Sequence, residues 1–572
     1  MEQTRKTKRK RRSPLWPLAL VILLAAFLAV AWQLVLPHLP SSEEVGWYQG
    51  EMLLVTGDQV FDAPPARTEE GSFLLPLSFV LEHLDDTVFW EPDHDAVTIT
   101  TGQAVLRMRT EQLTAHMNRE PLPLSVPVLL VDGEPHLPLP LLSDLYGLSH
   151  DFHQTTQTLV VEAAGSPRQV ARVKDETPAR VGPDVKAPII ARPRSGDEVL
   201  VFSEESGWYR IRTPEGILGY VPKDRASLEG IRENPAPKPP SRPAWRPMGE
   251  RIILTWDYVG GTGDRAARFS EYPPMPGVNV ISPTWFHLKD QEGNLVNLAD
   301  PEYVQWAHDQ GYQVWALVSN GFDPDRTSPV LRDPEIRDHL IKQLLAYSSL
   351  YDLDGINVDF ENMYQEDRDY FSQFIRELSP LAREQGLTVS IDVTAISQSP
   401  TWSLCYDRPA LAQAADYLML MAYDQHPAAS QVAGPVAALD WTERVLTRML
   451  EQVPRDQLIL GIPLYTRLWK EEPLAGGGVQ VSSQALSMAA RDRVIEEHSA
   501  ELEMDESTGL WLATYEEGPT TYKIWIEDEE SIRWRAQLAD RFGLPGVATW
   551  RRGFEHPGVW EVLRDELRGP PH

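Results

Sequence analysis

From residue 250 to residue 568 the chain alternates strand-like and helix-like segments, and this alternation limits its possible folds more than any other feature. The strand-like runs are "RIILTW", "VNVISPTW", "QVWALVS", "GINVDFE", "LTVSIDV", "YLMLMAY", "LILGIPL" and "GVATW". Helical patterns such as "PEIRDHLIKQLLAYSSLY" and "RDYFSQFIRELSPLAREQG" separate most of them. Eight strands with intervening helices predict an α/β fold, a closed parallel (β/α)8 TIM barrel over residues 250–568. "GLWLATYEEGPTTYKIWIED" reads as a small α+β segment inserted between the seventh and eighth strands.

The fourth of these runs, "DGINVDFENM", has two unlike faces. Strand side chains alternate, so Ile356, Val358 and Phe360 would face the surrounding helices, while Asn357, Asp359 and Glu361 would face the barrel lumen. Unpaired buried carboxylates cost several kcal/mol each, by order of magnitude, so their presence needs a compensating role. Glu361 closes the strand at the C-terminal face, where barrel enzymes place their chemistry. Asp359 would lie two residues below, ~6.6 Å along the strand. A neighbouring carboxylate raises the pKa of one member of such a pair and keeps a proton available, which is what a general acid requires. A calcium loop is excluded by spacing, since Gly355 is fourth from Asp352 and an EF-hand loop has its Gly sixth.

The front of the chain has a different character. "MEQTRKTKRKRR" holds seven Lys/Arg, and no Asp, Glu, Lys or Arg occurs from Ser13 to Ser42. The apolar part, Leu15 to Leu36, is long enough for a helix to cross a hydrocarbon core ~30 Å thick. A basic tail (1–12) before a transmembrane anchor (13–42) predicts a single pass through a bacterial cell membrane, N-terminus inside and the body outside. The alternative is secretion after signal cleavage near Ala31, where Ala29-Val30-Ala31 has the small-x-small form. The net charge of −30 argues against a nucleic-acid partner. Cys405, the only cysteine, leaves no intramolecular disulfide.

Residues 43–163 contain a repeat at an offset of 62: Pro76 aligns with Pro138, Trp90 with Phe152, and Ile99 with Val161. The pattern resembles the copper amine oxidase N-terminal-like module, although its histidines read as scattered surface residues and not as a metal site. Residues 168–230, with "GWYRIRTPEGILGYVP", resemble a bacterial SH3-type barrel; a β-rich spacer without a ligand is the other reading. Six prolines between Glu233 and Glu250 mark a semi-rigid linker over 231–249.

"DGINVDFE" resembles the signature of glycoside hydrolase family 18, with "LMLMAYDQH", "LGIPLYTRLW" and "GVATW" resembling that family's sixth, seventh and eighth strands. The resemblance implies a retaining, substrate-assisted hydrolase of β-1,4 linkages in N-acetylglucosamine-containing glycan, with peptidoglycan favoured and chitin possible. It implies that Glu361 is the proton donor, that Asp359 orients the sugar's acetamido group and that Tyr423 hydrogen-bonds its carbonyl. Asp424 would contact the sugar and Trp550 would floor its subsite. Asn357 departs from the family's usual Asp, and is expected to hydrogen-bond Asp359 without sharing a proton. Asp392, Tyr465, Trp256 and Trp285 are further candidates to line the groove. No cofactor is required by this chemistry. The competing class is a glycan-binding scaffold on the same fold.

Overall fold

The structure is a computed structural model that describes residues 16–35, 39–47, 50–234, 248–259, 269 and 271–567. The basic tail and most of the proline-rich linker lie outside these residues. The chain divides into two compact units, one of residues 1–88, 108–115 and 123–241, the other of residues 89–107, 116–122 and 242–572.

In the second unit eight parallel strands close a barrel: β1 (Ile252–Asp257), β2 (Val280–Leu288), β3 (Gln313–Ser319), β4 (Gly355–Asp359), β5 (Thr388–Thr394), β6 (Tyr417–Met421), β7 (Leu458–Pro463) and β8 (Gly546–Trp550). Each pairs with the next, and β1 pairs with both β2 and β8, so the barrel has no open edge. Outward side chains such as Ile356, Val358 and Phe360 join the core shared with the helices. Inward ones form a separate lumen cluster that includes Trp256, Trp315 and Tyr417. Trp315 stacks on Tyr417 at 5.9 Å between centroids and fills the lumen floor. Gly355 permits this, because a Cβ there would lie 2.7 Å from the Trp315 ring.

Between β7 and β8 the insertion is larger than the hairpin legible in the sequence. It is a five-stranded antiparallel sheet running from Tyr465–Pro473 to Thr520–Trp525, with a helix, Met488–His498, packed on it.

The same unit holds part of the first repeat copy. Strands Phe89–Glu91 and Ala96–Thr100 carry Glu91 toward the helix Pro334–Tyr351, where Arg337 is fully buried. Arg337 donates to Glu91 Oε1 at 2.8 Å and to Glu377 Oε1 at 3.0 Å. Arg107 bridges Asp338 at 2.8 Å and Glu377 at 2.5 Å, completing a buried network.

In the first unit, the repeat reappears as helices Leu77–His83 and Leu139–Tyr146, whose N-caps are Pro76 and Pro138. His136 is buried, not on the surface as expected, and bonds the carbonyls of Glu134 and Pro64. Beyond the repeat lies a seven-stranded sheet between Pro167–Val173 and Ala226–Glu233, with Tyr209, Ile211 and Val221 in its core. A helix, Trp16–Val35, occupies the apolar run near the N-terminus. Among the described residues no helix is long and apolar enough to cross a membrane, and parts of 13–42 lie outside them. The expected anchor is thus not shown by the fold.

Candidate active site

Glu361 lies two positions past the last residue of β4, and two loops fix its backbone. Asn320, fully buried just after β3, accepts from the Glu361 N–H at 3.1 Å and donates to the Glu361 carbonyl at 2.7 Å. Tyr406 donates to the carbonyl of Phe360 at 2.8 Å from the other side. With both flanks held, the side chain projects over the lumen and hydrogen-bonds Asp359.

Burial pushes the Glu361 carboxyl well above the usual range, and the charges of Asp359, Asp392 and Asp424 push it further. Asp359 is raised by burial to about 7, with the Glu361 hydrogen bond pulling the other way. Of the two, Asp359 is thus the one that ionises first, as pH rises through about 7, and Glu361 the one that keeps its proton and donates to it. Tyr423, just beyond β6, lies in the same field. Burial, then the charges of Asp392 and Glu361, raise its hydroxyl well above the ordinary phenol value and keep it a donor.

Asn357 differs from expectation. Its carbonyl oxygen accepts from Trp256 Nε1 at 2.8 Å and Ser282 Oγ at 3.1 Å, and its amide donates to Ser390 Oγ at 3.1 Å and Asp392 Oδ1 at 2.9 Å. These use both donors and both acceptor positions of the amide, so none remains for Asp359.

Trp550 ends β8 and stands 6.0 Å, centroid to centroid, from Trp256. Trp256 itself is buried in the lumen cluster and supports the floor without forming the groove surface. Tyr465 is not a strand-seven terminus but the first residue of the insertion's first strand; its hydroxyl donates to Asp424 at 2.6 Å. Asp424 is exposed at the barrel mouth, and Arg467 holds the same oxygen at 3.0 Å.

Trp285 is placed elsewhere. It belongs to the outer core and packs edge-on to Tyr303 at 5.1 Å. β2 bulges between Thr284 and Phe286, and Trp285 and Phe286 both join the outer core. Sequence reasoning also missed Asn320, Tyr406 and Arg467. Asn320 had one signal, a polar residue directly after a buried strand in "LVSNGFD"; Tyr406 and Arg467 had none. Among the described residues no group of three or more His, Cys, Asp and Glu could hold a metal ion.

Comparison with known proteins agrees with this geometry. Residues 274–555 match Glycosyl hydrolases family 18, residues 54–161 the Copper amine oxidase N-terminal domain, and residues 175–227 the Bacterial SH3 domain. The Uncharacterized glycosylase YvbX of Bacillus subtilis is 24% identical over 53% of this chain and 89% of its own length. The Cortical fragment-lytic enzyme of Bacillus subtilis is 26% identical over 44% of this chain and 58% of its own length. The spore cortex-lytic enzyme SleL of Bacillus cereus superposes with a TM-score of 0.50 at 20% identity, covering 61% of this chain and 80% of that one, which is a likeness of fold.

Proposed function

We propose that this chain, which carries a glycosidase domain of glycosyl hydrolases family 18, cleaves β-1,4 linkages next to N-acetylglucosamine in cell-wall glycan, with retention and with the sugar's own acetamido oxygen as nucleophile. The observation that carries this reading is Glu361 just past the end of β4, its backbone held by Asn320 and its carboxyl buried beside Asp359.

In this scheme Glu361 gives its proton to the leaving oxygen as the glycosidic bond breaks, and the acetamido oxygen closes on the anomeric carbon. Asp359 holds the acetamido N–H and balances the positive charge that develops on the ring so formed. Tyr423 donates to the acetamido carbonyl. Glu361, now ionised, takes a proton from water as that water attacks the anomeric carbon and the bond to the acetamido oxygen breaks, which restores the acetamido group and the protonated Glu361. Trp550 offers an aromatic face to the pyranose, and Asp424 offers an acceptor to its hydroxyls.

Peptidoglycan is the preferred substrate because the chain resembles a cortical fragment-lytic enzyme and carries a bacterial SH3 domain. The proposal includes an exported body behind an N-terminal anchor, supported by seven basic residues ahead of an uncharged stretch from Ser13 to Ser42. Protease digestion of intact cells, with subsequent detection of the barrel, tests that placement.

The activity is tested by incubating the full chain with peptidoglycan and with chitin oligomers and reading new reducing ends by mass spectrometry. Glu361→Gln should keep glycan binding and lose cleavage. Equal behaviour of wild type and variant would leave a binding scaffold as the correct reading.

A further inference from the structure

Asp392 is a buried carboxyl on β5, 1% exposed, that the proposed reaction does not use. The β4–β5 register pairs Asn357 with Ser390 and Val358 with Ile391. One further residue sets Asp359 beside Asp392, on strands ~4.8 Å apart and with the same inward parity. Asn357 does not stand between them as a partner of Asp359, because Trp256, Ser282, Ser390 and Asp392 occupy its amide. Oδ1 of Asp359 is buried and has no hydrogen-bond partner among the described residues.

Among the described residues no Lys, Arg or His acts on Asp392. The ionisable groups facing it are Asp359 from β4, Glu361 from just past it and Tyr423 from beyond β6, while β1 contributes the neutral Trp256. The Arg467 guanidinium, at the barrel mouth, is engaged by Asp424. Two carboxyl groups one strand spacing apart in a buried, cation-free lumen do not both ionise.

We infer that Asp392 stands as a carboxylic acid beside Asp359 and gives its hydrogen bond to the unpaired Asp359 oxygen, so that β5 supplies the acid that the amide at position 357 cannot. The directions of titration agree. Burial, then the Asp359 charge, raise Asp392 well above the ordinary carboxyl range, while Asp359 itself is raised only to about 7. In the resting site Glu361 and Asp392 each hold a proton and Asp359 holds one negative charge. Asp392 is thus a positioning residue. Its proton fixes the unpaired oxygen of Asp359 and so orients the carboxylate that Glu361 meets. The consequence for rate rests on the glycosidase reading; the protonation pattern does not.

The test reads protonation apart from turnover. In the full chain carrying Glu361→Gln, which removes the Glu361 proton, the infrared carbonyl stretch of protonated carboxyls is tracked from pH 4 to 9. A band should persist at pH 8, vanish when Asp392→Asn is added, and return when Asn357→Asp is added as well. An unchanged band on adding Asp392→Asn overturns the inference. Asp359→Asn gives a second reading. It removes the neighbouring charge, so the Asp392 band should titrate at least one pH unit lower; an unmoved midpoint again overturns the pairing.

In the active enzyme, Asp392→Asn should lower kcat at least tenfold with KM changed less than threefold. The exchange Asn357→Asp/Asp392→Asn should restore kcat to within threefold, and an exchange that restores nothing counts against the inference. If the wild-type chain cleaves no glycan, the functional reading falls while the infrared comparison still decides the pair.

Discussion

The Tyr465 hydroxyl and the Arg467 guanidinium converge on one oxygen of Asp424, at 2.6 and 3.0 Å, so the first strand of the insertion sets the carboxylate at the barrel mouth. Tyr465→Phe removes one of the two restraints without changing shape or charge. A hydrogen bond to a charged group contributes about 1.5–3 kcal/mol when fully lost. Arg467 remains, so the lower end of that range applies. KM for chitin oligomers should rise about tenfold with kcat little changed, as measured by initial rates.

The rate should depend on pH through two opposed groups. Asp359 must be ionised, and it gains a proton as pH falls through about 7. Glu361 must be protonated, and it loses its proton only at higher pH because burial, first of all, and neighbouring acidic groups that include Asp359 and Asp424 raise it. The profile of kcat/KM should therefore be bell-shaped. Asp424 is one of the groups raising Glu361, and it is not among those acting on Asp359. Asp424→Asn should move the alkaline limb to lower pH and leave the acid limb in place.

Asp359 also links activity to stability. Its folded pKa lies above the ordinary carboxyl value, so between about pH 4 and 7 the folded protein binds a proton that the unfolded chain has released. Stability from this group is complete at low pH and is lost as pH rises through that window, by at most about 1.4 kcal/mol per pH unit. Asp359→Asn should flatten that decline and raise the urea midpoint at pH 7 to 8 while abolishing cleavage. A midpoint at pH 7 to 8 no higher than wild type would contradict this linkage.

Glu91 offers a test of the barrel's outer face. Glu91→Ala removes one partner of the fully buried Arg337 and leaves Glu377 shared between Arg337 and Arg107. Breaking a buried pair from one side costs about 3–5 kcal/mol. Urea unfolding monitored by tryptophan fluorescence should show a loss of that size, although Glu91 precedes the barrel by more than 150 positions.

Period and parity are legible in the sequence. Eight strand-like runs and the two faces of "GINVDFE" are statements about alternation, and they lead to the parallel barrel with Asp359 and Glu361 inward. Trp285 is not legible because the strand-like run ends at it in the sequence, whereas β2 bulges there and continues to Leu288, which leaves Trp285 mid-strand against the helices. Asn320 and Tyr406 escaped because they hold Glu361 by its backbone, and such contacts depend on how loops fold over one another. The partners of Asn357 come from β1, β2 and β5, which no local pattern brings together. Hydrophobic periodicity also carries no record of which unit a repeat will join, so the placing of residues 89–107 was invisible.

That placing limits how the chain could have been assembled or rearranged. A recombination event at the proline-rich segment would carry away Glu91 and Arg107 and leave Glu377 as the one acidic partner of the buried Arg337 among those described. Residues 89–107 are therefore not an interchangeable cassette, and a homologue that lost them would give up half of the carboxylate ligation of its buried arginine and the second cation that shares Glu377.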